Sequence, residues 1–433
     1  MGPTTNKPAV SEADFTALLG GRAEAFLTLC AVPSGSRWSK RRFFEVSAGA
    51  DELESFLDDY GARTNRTFSA FTELVASIRG FALAGMKLAH LDRRLDSYGV
   101  ADRMPGEGAE VLEHVREAHG FVEGRMTLLM EALLEEGQRL GVTELERGQG
   151  HRSEDAMEVP PRLPHNVDLD RIDDDDHRIA KVATSYLSAY EMLDSVGIEP
   201  MDEAEQREEF LRESCSEETA RVWQATVHNL QSSYDTYVKN TVLETGDPRL
   251  RDLRGHVSAA LHTLEAVTYL IHFVERHERG LRSDMADSVL QRLVPRSQVR
   301  AVTLNRLLVS ALAFIRSGAD IAASLLPSYT RVSSVELTLR EGVFLHARPA
   351  SLIVAVVQHH GTPVELEVAG ARCNAGSILE LMVAIGSHPE QRHFSAHGDE
   401  RTLRDLEALF AADLGESGLE DLPSSVDYLR QRR

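Results

Sequence analysis

A histidine close to an arginine and a proline, in the segment LHARPAS at 345–351, is the feature of this sequence that could do chemistry. Proline is favoured in the first turn of a helix, where its missing N–H costs no hydrogen bond, so Pro349 predicts a helix start. His346 would then lie at the helix N-terminus, beside free backbone N–H groups and the positive end of the dipole. A neutral imidazole there can accept a phosphoryl group, and the Arg348 guanidinium can stabilise the resulting anion.

The composition limits the classes of function. The 433 residues carry a formal net charge of −21, which argues against nucleic acid and anionic membranes as partners. Three cysteines, Cys30, Cys215 and Cys373, are far apart and odd in number, so they indicate neither a disulfide framework nor a zinc site. The N-terminus lacks the apolar core of a signal peptide, and no apolar run approaches a membrane span. We therefore expect a cytoplasmic protein with no membrane span, metal or cofactor.

Apolar residues recur at helical spacing through most of the first 330 residues, as in Phe71, Leu74 and Ile78. Residues 147–177 carry proline, glycine and charge without apolar periodicity and are typical of a linker. The predicted organisation is a helical subdomain at 1–146, this linker, and a second helical subdomain at 178–330. SAFTELVAS and SAALHTLEAV open similar helices, so a diverged repeat is an alternative to a helical bundle without symmetry.

The apolar period changes at Ser333. VELTL and VELEV alternate apolar and polar residues as strands do, and the helical stretch from Arg348 to about His360 separates them. ARCN and RHFSAHG predict two more strands, SILELMVAIG and the segment after Leu403 two more helices. The order βαββαβα in residues 333–416 predicts an α+β domain, and residues 417–433 lack any such pattern and predict a flexible tail. The fold class is therefore multidomain, with a large all-α helical bundle followed by an α+β domain.

Residues 333–416 resemble HPr, the histidine phosphocarrier of the bacterial phosphoenolpyruvate-dependent phosphotransferase system. The likeness rests on LHARPAS, on NAGSIL at 374–379 and on HFSAHGDE at 393–400. It implies an open-faced β-sandwich in which His346 is the phosphoacceptor and Arg348 stabilises the phosphate. The implied partners are Enzyme I-like and enzyme IIA-like proteins. The helical region resembles no family that we recognise.

Ser377 opens the second helix of this region and allows two interpretations. Serine caps helix N-termini well without modification, whereas the resemblance implies a regulatory serine that an HPr kinase phosphorylates. The resemblance also implies partner docking through five residues, namely Ala347, Ser351, Ile378, Leu379 and Met382.

Two departures from the family bear on function. Val343 and Phe344 replace a small polar residue and a glycine before the histidine, and the lysines of the docking face are absent. Residues 331–416 hold seven Arg and no Lys against twelve acidic residues, a net charge of −5, which disfavours an acidic Enzyme I. The dense basic segment of the chain, with Arg37, Lys40, Arg41 and Arg42, is either a solvated loop or a docking loop for an acidic partner.

Two functions follow from these observations. In the first, a phosphotransfer or regulatory protein accepts a phosphoryl group on His346 and signals to its helical region, as a phosphocarrier and not a stand-alone enzyme. In the alternative, the HPr-like domain is a docking unit of a scaffold protein without phosphotransfer.

Overall fold

The computed structural model describes residues 10–32, 38–145, 175–239, 241–278, 284–416 and 418–431. The described residues form two compact units. The first unit is drawn from 1–163, 193–228 and 255–317, and the second from 164–192, 229–254 and 318–433. Each unit combines segments that are separate in the chain, so the units do not coincide with the predicted subdomains 1–146 and 178–330. The bounds of these subdomains remain predictions. The predicted linker lies outside the described residues as far as residue 174, and 175–177 begin a helix.

Helices dominate the first 330 residues, as the apolar periodicity predicts. Twelve α-helices lie in the described part of this region: α1 (Glu12–Ala31), α2 (Lys40–Asp59), α3 (Ser69–Tyr98), α4 (Gly108–Arg139), α5 (Asp175–Asp194), α6 (Ala204–Glu213), α7 (Glu217–Tyr237), α8 (Val242–Gly246), α9 (Pro248–Glu278), α10 (Asp284–Leu293), α11 (Arg296–Val302) and α12 (Val309–Tyr329). A π-helical segment, Thr303–Leu308, joins α11 to α12.

Helices α3 and α9 pack against each other in the first unit. Phe81 meets Phe273 edge to face with ring centroids 5.0 Å apart, and Lys87 Nζ lies 2.7 Å from Glu265 Oε1. The contacts move toward the N-terminus of α9 as they advance along α3, so the two helices run antiparallel. Gly85 of α3 lies against α2, where a side chain at this position would overlap the Phe43 ring. The glycine allows close approach of these two helices.

Within the described residues, three helical stretches are long and apolar enough to cross a membrane by length and composition: Ser69–Tyr98, Pro248–Arg276 and Arg296–Tyr329. The sequence-based prediction of no membrane span is therefore not supported. It counted uninterrupted apolar runs, whereas mean hydropathy over 18 residues tolerates one or two charges. The apolar windows of these stretches are 67%, 78% and 56% buried inside the protein.

The C-terminal region forms a four-stranded antiparallel sheet with three helices. Its elements are β1 (Val332–Thr338), α13 (Ala347–His360), β2 (Val364–Val368), β3 (Ala371–Asn374), α14 (Ile378–Ser387), β4 (His393–Asp399) and α15 (Glu400–Ala411). The strand order is β1-β4-β2-β3. Along β2, Val364, Leu366 and Val368 are buried, while Glu365 and Glu367 point the other way. The predicted order βαββαβα is thus observed, with one face of the sheet packed in the core.

Residues 418–431 pack on this domain, in contrast to the predicted flexible tail. Leu422, Val426 and Leu429 are buried in the same core as α13 and α15. The Tyr428 ring stacks on His359 at 3.6 Å, and its hydroxyl donates to Asp405 Oδ2 at 2.9 Å. This packing could not be predicted from apolar periodicity, because the segment folds as short 3₁₀ turns, which lack the 3.6-residue period of an α-helix.

We expect the tail to stabilise the C-terminal domain. Truncation of buried Leu422 to alanine should lower the free energy of unfolding by about 2 to 5 kcal/mol, because it removes apolar contacts and leaves a cavity. Hydrogen exchange of peptides from residues 332–416 at increasing urea would measure the change. The control is Leu379→Ala, because Leu379 is 72% exposed and should shift stability by about 0.5 kcal/mol or less. Equal stability of both variants would contradict a structural role for the tail.

Candidate functional site

His346 caps the N-terminus of α13. Its backbone is extended (φ −137°, ψ −173°), and its carbonyl accepts the first helical hydrogen bond from Ala350 N at 3.0 Å. The next residues, Ala347 and Arg348, have backbone N–H groups without acceptors among the described residues, and Pro349 has none to satisfy. The imidazole side chain is 53% exposed. The structure thus places a solvent-accessible imidazole beside two free amides, as the sequence predicts.

Arg348 is exposed, and its guanidinium makes no hydrogen bond or ion pair within the described part of the chain. Its carbonyl accepts a hydrogen bond from Ser351 Oγ at 2.6 Å, which closes the first turn of α13. Ala347 and Ser351 are also exposed. The Arg348 guanidinium could therefore bind an anion at His346 without first leaving another partner.

Glu416 is a residue of this site that the sequence analysis missed. Its Oε1 lies 3.2 Å from Nε2 of His346. The negative charge of the carboxylate beside Nε2 favours a ring proton on that nitrogen. In the neutral imidazole Nδ1 then carries the lone pair and is the nucleophilic nitrogen. Glu416 is 70 residues away along the chain, and no local pattern links it to the histidine.

A strained turn fixes the position of Glu416. Asp413 and Leu414, which follow α15, adopt left-handed backbone angles (φ 51° and 53°), and Gly415 continues the turn at φ 69°. Left-handed angles cost a non-glycine residue roughly 1 to 2 kcal/mol. Burial of the Leu414 side chain and an ion pair of 2.7 Å between Asp413 and Arg340 offset this cost. Strain of this kind is held most often at functional sites.

Phe344 and Val343 differ in their surroundings. Val343 packs against the domain core and is partly buried. Phe344 is 52% exposed, although phenylalanine side chains are usually buried. Gly342 precedes both residues with φ 89°, an angle that favours glycine. The structure thus directs the larger side chain to the surface.

Ser377 is the N-cap of α14. Its Oγ accepts a hydrogen bond from Glu380 N at 3.3 Å, and Glu380 Oε2 in turn accepts one from Asn374 N at 2.9 Å. The hydroxyl therefore has a structural role without any modification. A phosphate on Ser377 would disturb this cap and would stand beside the Glu380 carboxylate.

The first two turns of α14 expose an apolar patch. It consists of the three residues predicted as a docking surface together with Val383, which is 63% exposed: Ile378, Leu379, Met382 and Val383. The opposite side of the helix, with Leu381, Ala384 and Ile385, is buried. Contiguous apolar residues on an otherwise charged surface commonly mark protein contacts.

The basic segment near residue 40 is not a loop where the structure describes it. Lys40, Arg41 and Arg42 begin α2, and Arg37 lies outside the described residues. Arg42 is buried, with its guanidinium 4.1 Å above the Trp38 ring and Nη2 donating to Val32 O at 3.2 Å. Arg41 is exposed but pairs with Glu45 at 2.8 Å. The prediction of a solvated basic loop is therefore wrong for these three residues.

The remaining cation, Lys40, belongs to a dense positive cluster. Burial, together with Lys87 and Arg93, lowers its pKa. Burial, with His262 and Lys40 nearby, also lowers the pKa of His90 to about 4. His90 is thus neutral at pH 7, and the cluster carries less charge than its composition suggests.

Comparison with known proteins links this domain to one family. Residues 333–412 match the family model described as PTS HPr component phosphorylation site. This match covers less than a fifth of the chain and includes His346, Arg348 and Ser377, but not Glu416. The N-terminal region matches no family model. No curated protein and no solved structure matches the chain.

We expect the neutral form of His346 to carry its ring proton on Nε2, because the Glu416 carboxylate lies 3.2 Å from that nitrogen. Two-dimensional NMR of protein with ¹⁵N-labelled histidine reports the tautomer directly. In Glu416→Ala the two tautomers should approach the mixture found for free histidine. Glu390→Ala, which removes an exposed carboxylate of the same domain, is the control. An Nδ1–H tautomer in the unaltered protein would contradict the assignment of Nδ1 as nucleophile.

Proposed function

We propose that this protein is an HPr-like phosphotransfer or regulatory protein, in which His346 accepts a phosphoryl group from an Enzyme I-like protein. The helical region would respond to the phosphorylated state. The observation that carries the proposal is the exposed imidazole beside two free amides at the start of α13. It lies within the segment that matches the HPr phosphorylation site.

The proposed transfer uses the geometry of the site in one step. Nδ1 of His346 donates its lone pair to phosphorus while the bond from phosphorus to the donor group breaks, and the donor keeps that electron pair. The backbone N–H groups of Ala347 and Arg348, with the Arg348 guanidinium, stabilise the charge on the phosphoryl oxygens. The Glu416 carboxylate remains beside Nε2, on the side of the ring away from Nδ1. Transfer to Nε2 would instead set a phosphate against this carboxylate, and like charges repel.

The surface of the domain favours regulation over rapid phosphate flux. Its net charge of −5 slows encounter with an acidic partner. The resemblance to HPr places docking lysines at positions that include Ala355 and Glu380. Both residues have a structural role here, since Ala355 is buried and Glu380 accepts a hydrogen bond from Asn374 N before α14. The implied partners are Enzyme I-like and enzyme IIA-like proteins, with an HPr kinase acting on Ser377. The three cysteines are odd in number and far apart, as in proteins of a reducing compartment, and this supports a cytoplasmic location.

Incubation with Enzyme I and phosphoenolpyruvate should attach an acid-labile phosphate to His346. His346→Ala should abolish labelling, whereas His388→Ala, an exposed histidine of the same domain, should label like the unaltered protein. Arg348→Ala should keep the fold and slow labelling roughly 10- to 100-fold, because it removes one charge-assisted contact. Rapid-quench assays with labelled phosphate measure these rates.

Full labelling of the His346→Ala variant would exclude this residue as the phosphoacceptor. An unchanged rate in Arg348→Ala would remove the guanidinium from the mechanism and leave the two amides as the only donors of α13.

The second candidate function is docking without phosphotransfer, and the exposed apolar patch on α14 favours it. If the domain only docks, His346→Ala should bind Enzyme I as tightly as the unaltered protein, with no phosphate transferred. Leu379→Asp should weaken binding at least tenfold, because it places a charge at the most exposed position of the patch. Titration calorimetry measures both affinities, with Glu390→Asp as a conservative surface control. Transfer of phosphate to His346 in the same mixture would reject this candidate.

A further inference from the structure

We propose that a cleft in the first compact unit binds a small phosphorylated metabolite with hydroxyl groups, such as a sugar phosphate or a phosphorylated hydroxy acid. The cleft lies between α3, α7 and α9 and has a volume of about 140 Å³. It is smaller than the pockets that enclose drug-sized ligands, which limits it to a small metabolite. Its polar wall is formed by Arg79, Arg221, Arg276 and His272, and its apolar wall includes Tyr269 and Phe273.

The charged side chains that line the cleft are basic, although the chain as a whole is acidic. The sequence has 68 acidic and 47 basic residues, yet no carboxylate is among the described residues that line this cleft. Three guanidinium groups converge there. Arginine is the side chain that best matches phosphate oxygens, because its planar fork can donate two parallel hydrogen bonds.

Each of the three arginines keeps a terminal nitrogen free for a ligand. Arg79 uses Nε and Nη1 for Glu54 and Asp51. Arg221 uses Nε and Nη2 for Glu217. Arg276 directs Nη1 toward Glu54 at 3.6 Å. This leaves Nη2 of Arg79, Nη1 of Arg221 and Nη2 of Arg276 without an acceptor in the described part of the chain.

Glu54 orients two of these arginines from behind the cleft. It is buried, and its carboxylate contacts Arg79, Arg276 and also Arg63. Burial raises the pKa of Glu54, but the neighbouring arginines lower it further, so the net shift is downward and the carboxylate is charged. Guanidinium groups held in this way lose little conformational entropy when they bind an anion.

His272 gives the cleft a group of the opposite hydrogen-bonding polarity. Its Nδ1 lies 2.7 Å from Glu217 Oε2, and its Nε2 lies 3.5 Å from Nη1 of Arg276. Since Arg276 can only donate, Nε2 accepts and Nδ1 carries the proton. The contact of Nε2 with Arg276 is long and weak, so a ligand hydroxyl can replace it as the donor to Nε2 while the ligand's phosphate binds the guanidinium groups. The rings of Tyr269 and Phe273 offer apolar surface to its carbon skeleton.

Titration calorimetry of the full-length protein with 3-phosphoglycerate, glucose 6-phosphate and inorganic phosphate tests the proposal. At least one phosphate ester should bind saturably, and the matched compounds without phosphate, glycerate and glucose, should not. Arg221→Gln should weaken binding roughly 10- to 100-fold, because it removes one charge-assisted hydrogen bond. Arg221 is 57% exposed, so the fold should tolerate this change.

Arg41→Gln is the matched control. Arg41 is 49% exposed and also pairs with a glutamate four residues away on its own helix, but it lies outside the cleft. Its affinity should equal that of the unaltered protein. His346→Ala should also bind normally, so the result is independent of whether the proposed phosphotransfer occurs.

Three outcomes would overturn the proposal. The first is no saturable binding of any of the three phosphate compounds up to about 10 mM, which is weaker than metabolite sites usually are. The second is equal affinity of Arg221→Gln and Arg41→Gln, which would leave the arginines with a purely structural role. The third is equal binding of glycerate and 3-phosphoglycerate, or of glucose and glucose 6-phosphate, which would exclude phosphate recognition.

Discussion

The C-terminal domain depends on one constraint: α13 must be buried along its body and open at its N-terminus. Ile353, Val356 and Val357 are enclosed in the core, and Leu422 and Val426 of the tail belong to that same core. A helix held this firmly presents its first amides in a fixed direction, so they need no reorganisation when charge develops nearby. The strained turn that carries Glu416 to His346 lies directly before this tail in the chain. Packing of the tail and the chemistry of the histidine are therefore linked through one segment.

Charge acts on two length scales in this protein. The net charge of −21 governs encounter at distances near the Debye length, about 8 Å in physiological salt. Contacts below 4 Å are governed by individual donors, and there arginine provides the recognition. The C-terminal domain has seven arginines and no lysine in residues 331–416. Such a surface repels anionic partners at long range, but its arginines can orient an anion at short range.

Much of the C-terminal domain could be predicted from local sequence because its signals are local. The change from a 3.6-residue to a two-residue apolar period locates the strands, Pro349 marks the start of α13, and Ser377 caps α14 as its type suggests. Glu416 could not be found in this way, because its contact with His346 depends on three consecutive left-handed residues after α15. The burial of Arg42 was not predicted either, because it depends on contacts with Val32, which follows α1, and with Trp38, which precedes α2.

Hydropathy shows the limit of local reasoning in the helical region. An apolar helix in the core of a large protein and an apolar helix in a membrane can have the same composition, because both are surrounded by apolar atoms. The three long helices therefore satisfy a membrane criterion even where most of their surface is covered by protein. The ion pair between Lys87 and Glu265 joins two of them. A charge pair of this kind is tolerated in either environment, so it does not separate the two interpretations.

The arginines of the two candidate anion sites differ in how they are held, and this difference suits different tasks. Arg348 is exposed and makes no ion pair among the described residues, so it must lose side-chain entropy each time it engages an anion. The two amides of α13 are already fixed and lose none, so in the proposed transfer step we expect them to provide the larger share of stabilisation. Arg79 and Arg276 are held by buried Glu54 before any ligand arrives. Side chains that are fixed before binding suit a ligand that stays bound. A mobile guanidinium such as that of Arg348 suits a phosphoryl group that is soon passed to another protein.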